Sequence, residues 1–372
     1  MTDILKEFII SISNPNIQIY ILRLCGLIYG EALGDALGAS HEGTTKTRLA
    51  QIYPNGVQGF PEVLANNSAK NQDWTDDTDQ LILLMETLNE NDMQFCELTF
   101  ASKLKKWKMH GFPELGDIYG KGAGSYFSRV VLHDQFEIEP LIASEEVYNQ
   151  LGRKPASNGA IMRTAIMGIL ANWSDPTVCM TFCTHWDDKC VVSCLMITRI
   201  IHRILYHQLQ IEHLNDAFLM HKIFDKTLLN FCYYDEHKDE LQKYRNIIFN
   251  ENLDRSLELL DLGNEFAVGW GYTLKCLGSA IWALRKLYKL YVTFNKSHAD
   301  AYKEIILLVI NQGGDTDTNA AVCGALIGCF IGYSNLDAKW LDRLKHKNWL
   351  DLKIINFITK NIINDLKVVI KD

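Results

Sequence analysis

The sequence has few of the features that mark secreted, membrane-spanning or nucleic-acid-binding proteins. The segment from Met1 to Asn14 has only one Lys and lacks the basic start and long apolar stretch of a signal peptide. The longest apolar run, Ala320 to Gly332, is shorter than the ~20 residues that cross a bilayer. A net charge of -8 and a pI near 5.8 disfavour sequence-specific nucleic-acid binding. We therefore expect a soluble cytoplasmic protein without a membrane partner; a nuclear location is also compatible.

The ten cysteines include no Cys-x-x-Cys pair, which argues against a common zinc or redox motif. Cys179, Cys183, Cys190 and Cys194 lie close to His185, but their spacings match no usual zinc-ligand pattern. Most cysteines stand in apolar stretches. We interpret them as reduced thiols packed in the core.

Linkers are also absent, because the chain has seven prolines, no Gly/Ser-rich segment and no repeat at a fixed period. Its 372 residues, 48% of them hydrophobic, are enough for one large core. We predict a single domain over residues 19–372, preceded by an N-terminal helical arm over residues 1–18. Residues 210–260 are richer in charge and lack glycine, so we predict peripheral helices there.

Apolar residues recur mainly at helical spacing, as at Ile197, Ile200, Ile201 and Ile204. Alternation of apolar and polar residues, the mark of a half-buried strand, is hard to find. The sequence therefore predicts a nearly all-α protein.

Two glycine stripes at four-residue spacing predict a close helix pair. The first comprises Gly26, Gly30, Gly34 and Gly38, and the second Gly324, Gly328 and Gly332. Glycine inside a helix costs about 1 kcal/mol relative to alanine, so such stripes need a packing reason. We predict that these two helices cross in the core, which would bring Asp35 and the loop through Glu42 near the Asp315 cluster.

Two aspartate clusters are the main chemical feature of the chain. Thr75 to Asp79 precedes an apolar helix pattern, so that Thr75 is the expected N-cap with Asp76 and Asp77 in the first turn. Asp315 to Thr318 follows a glycine pair and precedes a second apolar helix. Acidic residues commonly decorate helix starts, but hard cations such as Mg²⁺ prefer oxygen ligands of this kind. The two clusters together predict a two-metal site.

Other acidic motifs fit less well. A calcium-binding EF-hand starting at Asp315 would need Gly and Glu where the chain has Ala320 and Leu326. A diphosphate-binding Asp-Asp-x-x-Asp motif would need an acid at Gln80.

With these clusters placed, the chain resembles the ADP-ribosylglycohydrolase family over nearly its whole length. The resemblance rests on an ordered set of short motifs: Gly34 to Gly38 with Glu42, Asp73 to Thr78, Gly120 to Gly124, Ser157 to Arg163, Thr184-His185, Gly271-Tyr272, and Gly314 to Asn319. Each motif is weak alone, and their order makes the set specific.

The resemblance implies a compact, orthogonal all-α fold with a central cleft that holds two Mg²⁺ ions, for which Mn²⁺ can substitute. Six residues match the metal ligands of the family: Thr75, Asp76, Asp77, Asp315, Asp317 and Thr318. Asp317 occupies the position that usually bridges both ions. Glu42 matches a glutamate on a loop that closes over the cleft in some members.

The resemblance also implies hydrolysis of the ribose C1″ bond, with the ions orienting the ribose and acidifying a water. Glu42, Asp76, Asp77 and Asp315 are candidate catalytic residues for proton transfer, and the choice among them stays open.

The remaining motifs supply candidates for binding ADP-ribose. Backbone amides of Gly120, Gly122 and Gly124 can approach a diphosphate, although a plain turn explains such glycines equally well. Ser157, Asn158, Gly159 and His185 are the further candidates, whereas Arg163 serves either the ligand or a structural ion pair.

The leading hypothesis is a Mg²⁺-dependent hydrolase that releases ADP-ribose from an ADP-ribosylated protein or a related ADP-ribosyl substrate. One alternative is a non-catalytic, ADP-ribose-binding or crystallin-like structural protein on the same fold. The other is a hydrolase of a different ribosyl or phosphorylated metabolite.

Overall fold

The computed structural model describes residues 3–60, 72–231, 237–264 and 269–363. Within these ranges the chain is mostly helical and its strands are two residues long each, which confirms the predicted all-α class. In chain order the α-helices are α1 (Ile4–Ile10), α2 (Pro15–Gly38), α3 (Lys46–Ile52), α4 (Asp76–Glu90), α5 (Glu97–His110), α6 (Ser125–Val131), α7 (Pro140–Gln150), α8 (Ser174–Phe182), α9 (Asp188–Leu205), α10 (Asp216–Phe218), α11 (Lys226–Phe231), α12 (Lys238–Ile248), α13 (Leu253–Leu260), α14 (Thr273–Phe294), α15 (His298–Ile310), α16 (Thr316–Ile331), α17 (Ala338–Arg343) and α18 (Lys347–Ile358).

Shorter elements connect these helices. The 3-10 segments are Pro113–Leu115, Ile161–Ile169, Ile211–Leu214 and Tyr333–Asn335, and the π-helical segments are Leu219–Asp225 and Thr359–Ile363. Two strands of two residues each, β1 (Thr44–Thr45) and β2 (Gly313–Gly314), pair antiparallel.

The two glycine stripes meet, as predicted, because α2 and α16 pack antiparallel at the centre of the fold. A Cβ atom on Gly30 would lie 2.2 Å from the Gly324 carbonyl oxygen, and one on Gly328 would lie 2.1 Å from that of Gly26. Real Cβ atoms do not approach oxygen so closely. The absence of side chains is therefore what allows these backbones to touch.

This antiparallel contact places the end of α2 beside the start of α16. The Thr316 hydroxyl donates a hydrogen bond of 2.8 Å to the Gly38 carbonyl. Just beyond, Thr44 pairs with Gly314 in the short sheet, which holds the loop after α2 against the turn before α16. The packing of two apolar helices thus positions two polar segments that are far apart in sequence.

Other helices enclose this central pair. α14 and α15 pack on α16, while the Ile161–Ile169 segment lies between α4 and α9. By length and composition α2 could span a membrane, but 72% of its apolar window is buried inside the protein. Its hydrophobicity is accounted for by its place in the core.

The boundary predicted after residue 18 falls inside α2, so residues 3–18 do not form a separate arm. The first helix, α1, packs on α18 with Leu5 and Ile9 buried.

Residues 210–260 form α10 to α13 with their short flanking helices, and α12 and α13 pack against α14. Residues 232–236 of that region lie outside the described part of the chain.

Candidate active site

The first acidic cluster stands at the start of α4, and Thr75 is its N-cap as predicted. The Thr75 hydroxyl accepts a hydrogen bond from the Asp77 backbone N–H at 3.5 Å and donates one of 2.8 Å to Asp77 Oδ2. Asp76 and Asp77 occupy the first helical turn, and Asp77 is only 1% exposed. The unpaired backbone N–H groups and the positive dipole end at the N-terminus of α4 favour carboxylates at these two positions.

Asp35, in the last turn of α2, ties that helix to the start of α4. Both of its carboxylate oxygens accept from the Thr75 backbone N–H at 3.0 Å, and Oδ2 also accepts from the Thr78 hydroxyl at 2.7 Å. These bonds fix the direction in which α4 leaves α2. They also bring the Asp35 carboxylate beside the first cluster.

The second acidic cluster, at the start of α16, meets the first. Carboxylate oxygens of Asp35, Asp77 and Asp317 all lie within 4.8 Å of one another, and those of Glu42, Asp315 and Asp317 form a second such group. The predicted approach of Asp35 and the Glu42 loop to the Asp315 cluster is thereby confirmed, because Asp35 meets Asp317, and Glu42 meets both Asp315 and Asp317. Asp317 belongs to both groups, as a bridging ligand would, and its role as a ligand stays a prediction.

The acidic groups at this junction repel one another at close range. Burial, followed by the charge of neighbouring carboxylates, raises the pKa of Asp77 and of Asp317 well above the ordinary aspartate range. Asp77 Oδ1 is buried and has no hydrogen-bond partner within the described structure. Such a cluster requires bound protons or a cation to offset the repulsion.

A cavity of about 280 Å³ opens above the clusters. It collects most of the predicted site residues: Glu42, Asp76, Asp77, Gly122, Gly124, Ser157, Asn158, Gly159, His185, Asp315, Asp317 and Thr318. Two others lie apart from its lining. Thr75 sits beneath, bonded to Asp77, and Gly120 packs on Trp107, where an added Cβ would lie 2.7 Å from the Trp107 carbonyl oxygen.

The glycine loop, Gly120 to Gly124, forms one wall of the cavity, and its glycines have different structural roles. Gly122 has φ +92°, and a Cβ atom there would lie 2.1 Å from Asp76 Oδ1, so glycine is required at this position. Gly124 has no such neighbour within 4 Å and leaves its backbone open to the cavity. Lys121 is exposed, with its ammonium 5.9 Å from the centre of the Tyr119 ring.

The opposite wall is built on the segment from Ser157 to Gly159. Asn158 donates from its backbone N–H to the Gly271 carbonyl at 3.0 Å and from its side chain to Asp315 Oδ2 at 2.8 Å. The imidazole Nε2 of His185, which is fully buried, lies 2.9 Å from the Ser157 hydroxyl. This wall is therefore hydrogen-bonded to the second acidic cluster through Asn158 and to the buried His185 through Ser157.

The sequence profile of the ADP-ribosylglycohydrolase family matches residues 17–365. The chain belongs to this family. It is 24% identical over 329 residues to the ADP-ribosylarginine hydrolase Tri1 of Serratia proteamaculans, covering 86% of this chain and 74% of that one. It is also 24% identical over 351 residues to the ADP-ribosylhydrolase ARH3 of Gallus gallus, covering 86% and 88%.

A solved ADP-ribosylglycohydrolase-related protein complex has the same fold. Its chain superposes with a TM-score of 0.58 at 19% identity, covering 92% of this chain and 99% of that chain. The predicted resemblance to the ADP-ribosylglycohydrolases is thus confirmed, and with it the expectation of a hydrolase.

The donor set of this ADP-ribosylglycohydrolase fits a hard divalent cation. The residues of the two clusters supply only carboxylate and hydroxyl oxygens, and no Lys or Arg is found among the described residues that line the cavity. The partnerless Asp77 Oδ1 is a further sign that the cluster is built for a ligand outside the polypeptide. The predicted dependence on a metal is consistent with this chemistry.

Two further residues contribute to the site without belonging to the predicted set: Asp35 lies among the carboxylates, and Gln80 lies in the cavity lining. The sequence predicts Asp35 only as a neighbour of the second cluster, although its place in the Gly34 to Gly38 motif puts it on the central helix. Gln80 lines the cavity and donates to Asp76 Oδ2 at 3.2 Å, and its position one turn after Asp76 was the available signal.

Proposed function

We propose that this protein is a Mg²⁺-dependent hydrolase that cleaves the ribose C1″ linkage of ADP-ribosylated substrates and releases ADP-ribose. The convergence of two acidic clusters at the base of a cavity with a glycine-rich wall supports it best. The relatives act, by their names, on ADP-ribosyl compounds, which agrees with a site of this chemistry.

Metal binding would fall to residues at the base of the cavity. We assign it to Thr75, Asp76, Asp77, Asp315, Asp317 and Thr318, with two Mg²⁺ ions as the occupants and Mn²⁺ as a substitute. Such ions act as Lewis acids and lower the pKa of a bound water. Asp35 adds a third buried carboxylate beside Asp77 and Asp317, while its hydrogen bonds to Thr75 and Thr78 hold α4 in place.

The walls would bind the substrate. Gly122 and Gly124 leave backbone free of side chains, which lets amides approach the phosphates of an ADP-ribosyl group. Ser157, Asn158 and His185 present polar groups from the other side.

Proton transfer to the departing acceptor needs a carboxylate that reaches the mouth of the cavity. Of the four candidates, Glu42 is exposed and Asp315 is partly buried, whereas Asp76 and Asp77 lie deep at the start of α4. We therefore assign this step to Glu42 or Asp315, and metal binding alone to Asp76 and Asp77.

The proposal is tested by release of ADP-ribose from arginine-linked and serine-linked ADP-ribosyl peptides, with Mg²⁺ or with EDTA. We expect Mg²⁺-dependent release that falls by roughly 100-fold or more in Asp317→Asn, since even indirect partners of metal ligands contribute up to that factor. The fold should persist, because an amide in place of a carboxylate relieves repulsion.

Asp92→Asn is the matched control, since the Asp92 side chain is 90% exposed and outside the cavity. It should retain wild-type release. Binding of ADP-ribose without turnover of either peptide would favour the non-catalytic alternative. Turnover that does not depend on Mg²⁺ or on Asp317 would refute the proposed site.

A further inference from the structure

Arg163 is a buried guanidinium whose hydrogen-bond partners are neutral. It is 0% exposed and lies in the Ile161–Ile169 segment. Its two terminal nitrogens donate to Gln80 Oε1 and to the Thr184 hydroxyl oxygen. The rings of Phe100 and Phe127 lie 5.2 and 5.8 Å from its central carbon. A buried charge without a directly bonded carboxylate calls for a reason other than ion pairing.

On one side Arg163 sets the orientation of an amide. Arginine only donates hydrogen bonds, so Gln80 must turn its oxygen toward it. The Gln80 nitrogen then faces the other way, where it donates to Asp76 Oδ2 at 3.2 Å. The direction of the Asp76 carboxylate is thereby linked to the buried guanidinium.

On its other side Arg163 sets the donor-to-acceptor direction of a hydrogen-bond chain that runs through Thr184 and His185 to Ser157. The Thr184 hydroxyl accepts from Arg163, and its own hydrogen needs an acceptor, for which His185 Nδ1 lies 2.8 Å away. If Nδ1 carried a proton instead, the buried Thr184 hydrogen would have no acceptor in the described structure, which is strongly disfavoured. Nδ1 is therefore the acceptor.

The ring then carries its single proton on Nε2. Full burial, and next the charge of Arg163, lower the pKa of His185 well below its usual value, so the imidazole is neutral. Its Nε2–H donates to the Ser157 hydroxyl at 2.9 Å. Ser157 lines the cavity, and its own hydrogen is left to point into it.

We propose that Arg163 is a positioning residue that fixes the hydrogen-bond polarity of the cavity wall, so that Ser157 is presented as a donor to the ligand. The group that Ser157 meets is consequently an acceptor, such as a phosphate or ribose oxygen. Only this identification of the ligand rests on the proposed function. The polarity of the chain from Arg163 through Thr184 and His185 to Ser157 does not.

The first test reads the tautomer of His185 in metal-free wild-type protein by ¹⁵N NMR, with the His185→Gln spectrum as the assignment. We expect a pyridine-like Nδ1 and a protonated Nε2. A protonated Nδ1, or an equal mixture of tautomers, overturns the proposal. No ligand or turnover is involved, so this result is independent of the proposed activity.

A matched pair at position 184 tests the direction of the chain. Thr184→Asn can still accept from Arg163 and donate to His185 Nδ1, whereas Thr184→Asp, of the same size, can only accept. We expect Nδ1 to stay unprotonated in Thr184→Asn and to carry a proton in Thr184→Asp. An unprotonated Nδ1 in Thr184→Asp contradicts the assigned role of Thr184.

Calorimetry in EDTA compares the affinities of the two position-184 variants for ADP-ribose and so tests whether Ser157 donates to a ligand in the cavity. At a pH where NMR shows a single ring proton in both variants, the polarity is reversed in Thr184→Asp, which should bind about tenfold more weakly than Thr184→Asn, the loss expected for one hydrogen bond. Equal affinities of the two variants overturn the claim that Ser157 serves as a donor. Failure of wild type to bind ADP-ribose counts against the proposed function and leaves the NMR result standing.

Arg163→Met tests the origin of the polarity. Without the guanidinium, Thr184 is free to accept from His185, and both tautomers should be populated. A single Nε2–H tautomer in folded Arg163→Met would show that another residue sets the polarity. If that variant does not fold, wild type and the position-184 pair decide the question.

Discussion

Glu31 is a carboxylic acid in the interior of the apolar helix α2. It is 0% exposed, and neither of its oxygens has a hydrogen-bond partner among the described residues. Burial, and then the charges of Asp77 and Asp35, raise its pKa well above the usual glutamate value. The folded protein therefore holds Glu31 in its protonated form over a wider pH range than the unfolded chain does.

This raised pKa predicts a pH-dependent effect of Glu31→Gln. The wild-type contribution is fully present below the unfolded pKa of about 4.3 and is lost as the pH rises toward the folded pKa. Glutamine has the same shape and no proton to lose. The melting temperature of the variant, relative to wild type, should therefore increase from pH 4.5 to pH 8 in EDTA.

Thermal melts of wild type, Glu31→Gln and a control variant at three pH values check this prediction. Glu145→Gln, at an exposed position, is the control and should show a constant difference. A difference for Glu31→Gln that stays flat or declines with pH would mean that the group is ionised in the folded protein or has a partner.

At the scale of elements, the contact between α2 and α16 depends on the absence of side chains. A Cβ atom on Gly328 would lie 2.1 Å from the Gly26 carbonyl oxygen and 2.9 Å from the Gly30 Cα, both backbone atoms that no side-chain rotation can move aside. We expect Gly328→Ala to lower the free energy of unfolding by about 1–3 kcal/mol or more, despite the higher helix propensity of alanine.

Chemical denaturation of Gly328→Ala and of a matched glycine variant measures this effect. Gly124→Ala places the same methyl group where no atom lies within 4 Å, so it should leave stability nearly unchanged. Equal stability of wild type and Gly328→Ala would mean that the two helices lie farther apart than in this structure. Gly328→Leu should be more damaging still.

The sequence predicted these elements where a local pattern carried the signal. Four-residue glycine spacing indicated the helix pair, and Thr75 before an acidic first turn indicated the start of α4. The proximity of Asp35 and Glu42 to the second acidic cluster followed from the helix pair, because stripes that must meet also bring the ends of their helices together. In each case the spacing reflects a contact that repeats along one element.

Other features were not predictable because they depend on contacts between distant residues. The bonds of Arg163 to Gln80 and Thr184 join the Ile161–Ile169 segment to α4 and to the loop between α8 and α9, and no spacing in the chain reports them. Gly120 belongs to the same glycine motif as Gly122 but packs on Trp107, a distinction that only the path of the chain reveals. The pairing of Thr44 with Gly314 joins residues far apart in the sequence and involves too few residues to leave a pattern.

At the scale of the whole molecule, the acidic site brings together residues that are far apart in the chain. Its carboxylates come from Asp35 and Glu42 near the N-terminus, from Asp77, and from Asp315 and Asp317 near the C-terminus. These groups are held together by the packing of α2 against α16 despite their mutual repulsion. A bound cation would relieve that repulsion only in the folded state, so it should stabilise the entire fold rather than one loop.

Removal of metal should therefore lower the melting temperature of the protein. Mg²⁺ at about one hundred times its dissociation constant adds about 2.7 kcal/mol to the free energy of unfolding, which corresponds to several degrees. Melts in Mg²⁺ and in EDTA measure the shift. Asp317→Asn should lose it, because Asp317 belongs to both carboxylate groups, whereas Asp92→Asn should keep it. An equal shift in Asp317→Asn would place the stabilising ion elsewhere, and the convergence of the two clusters would then need another explanation.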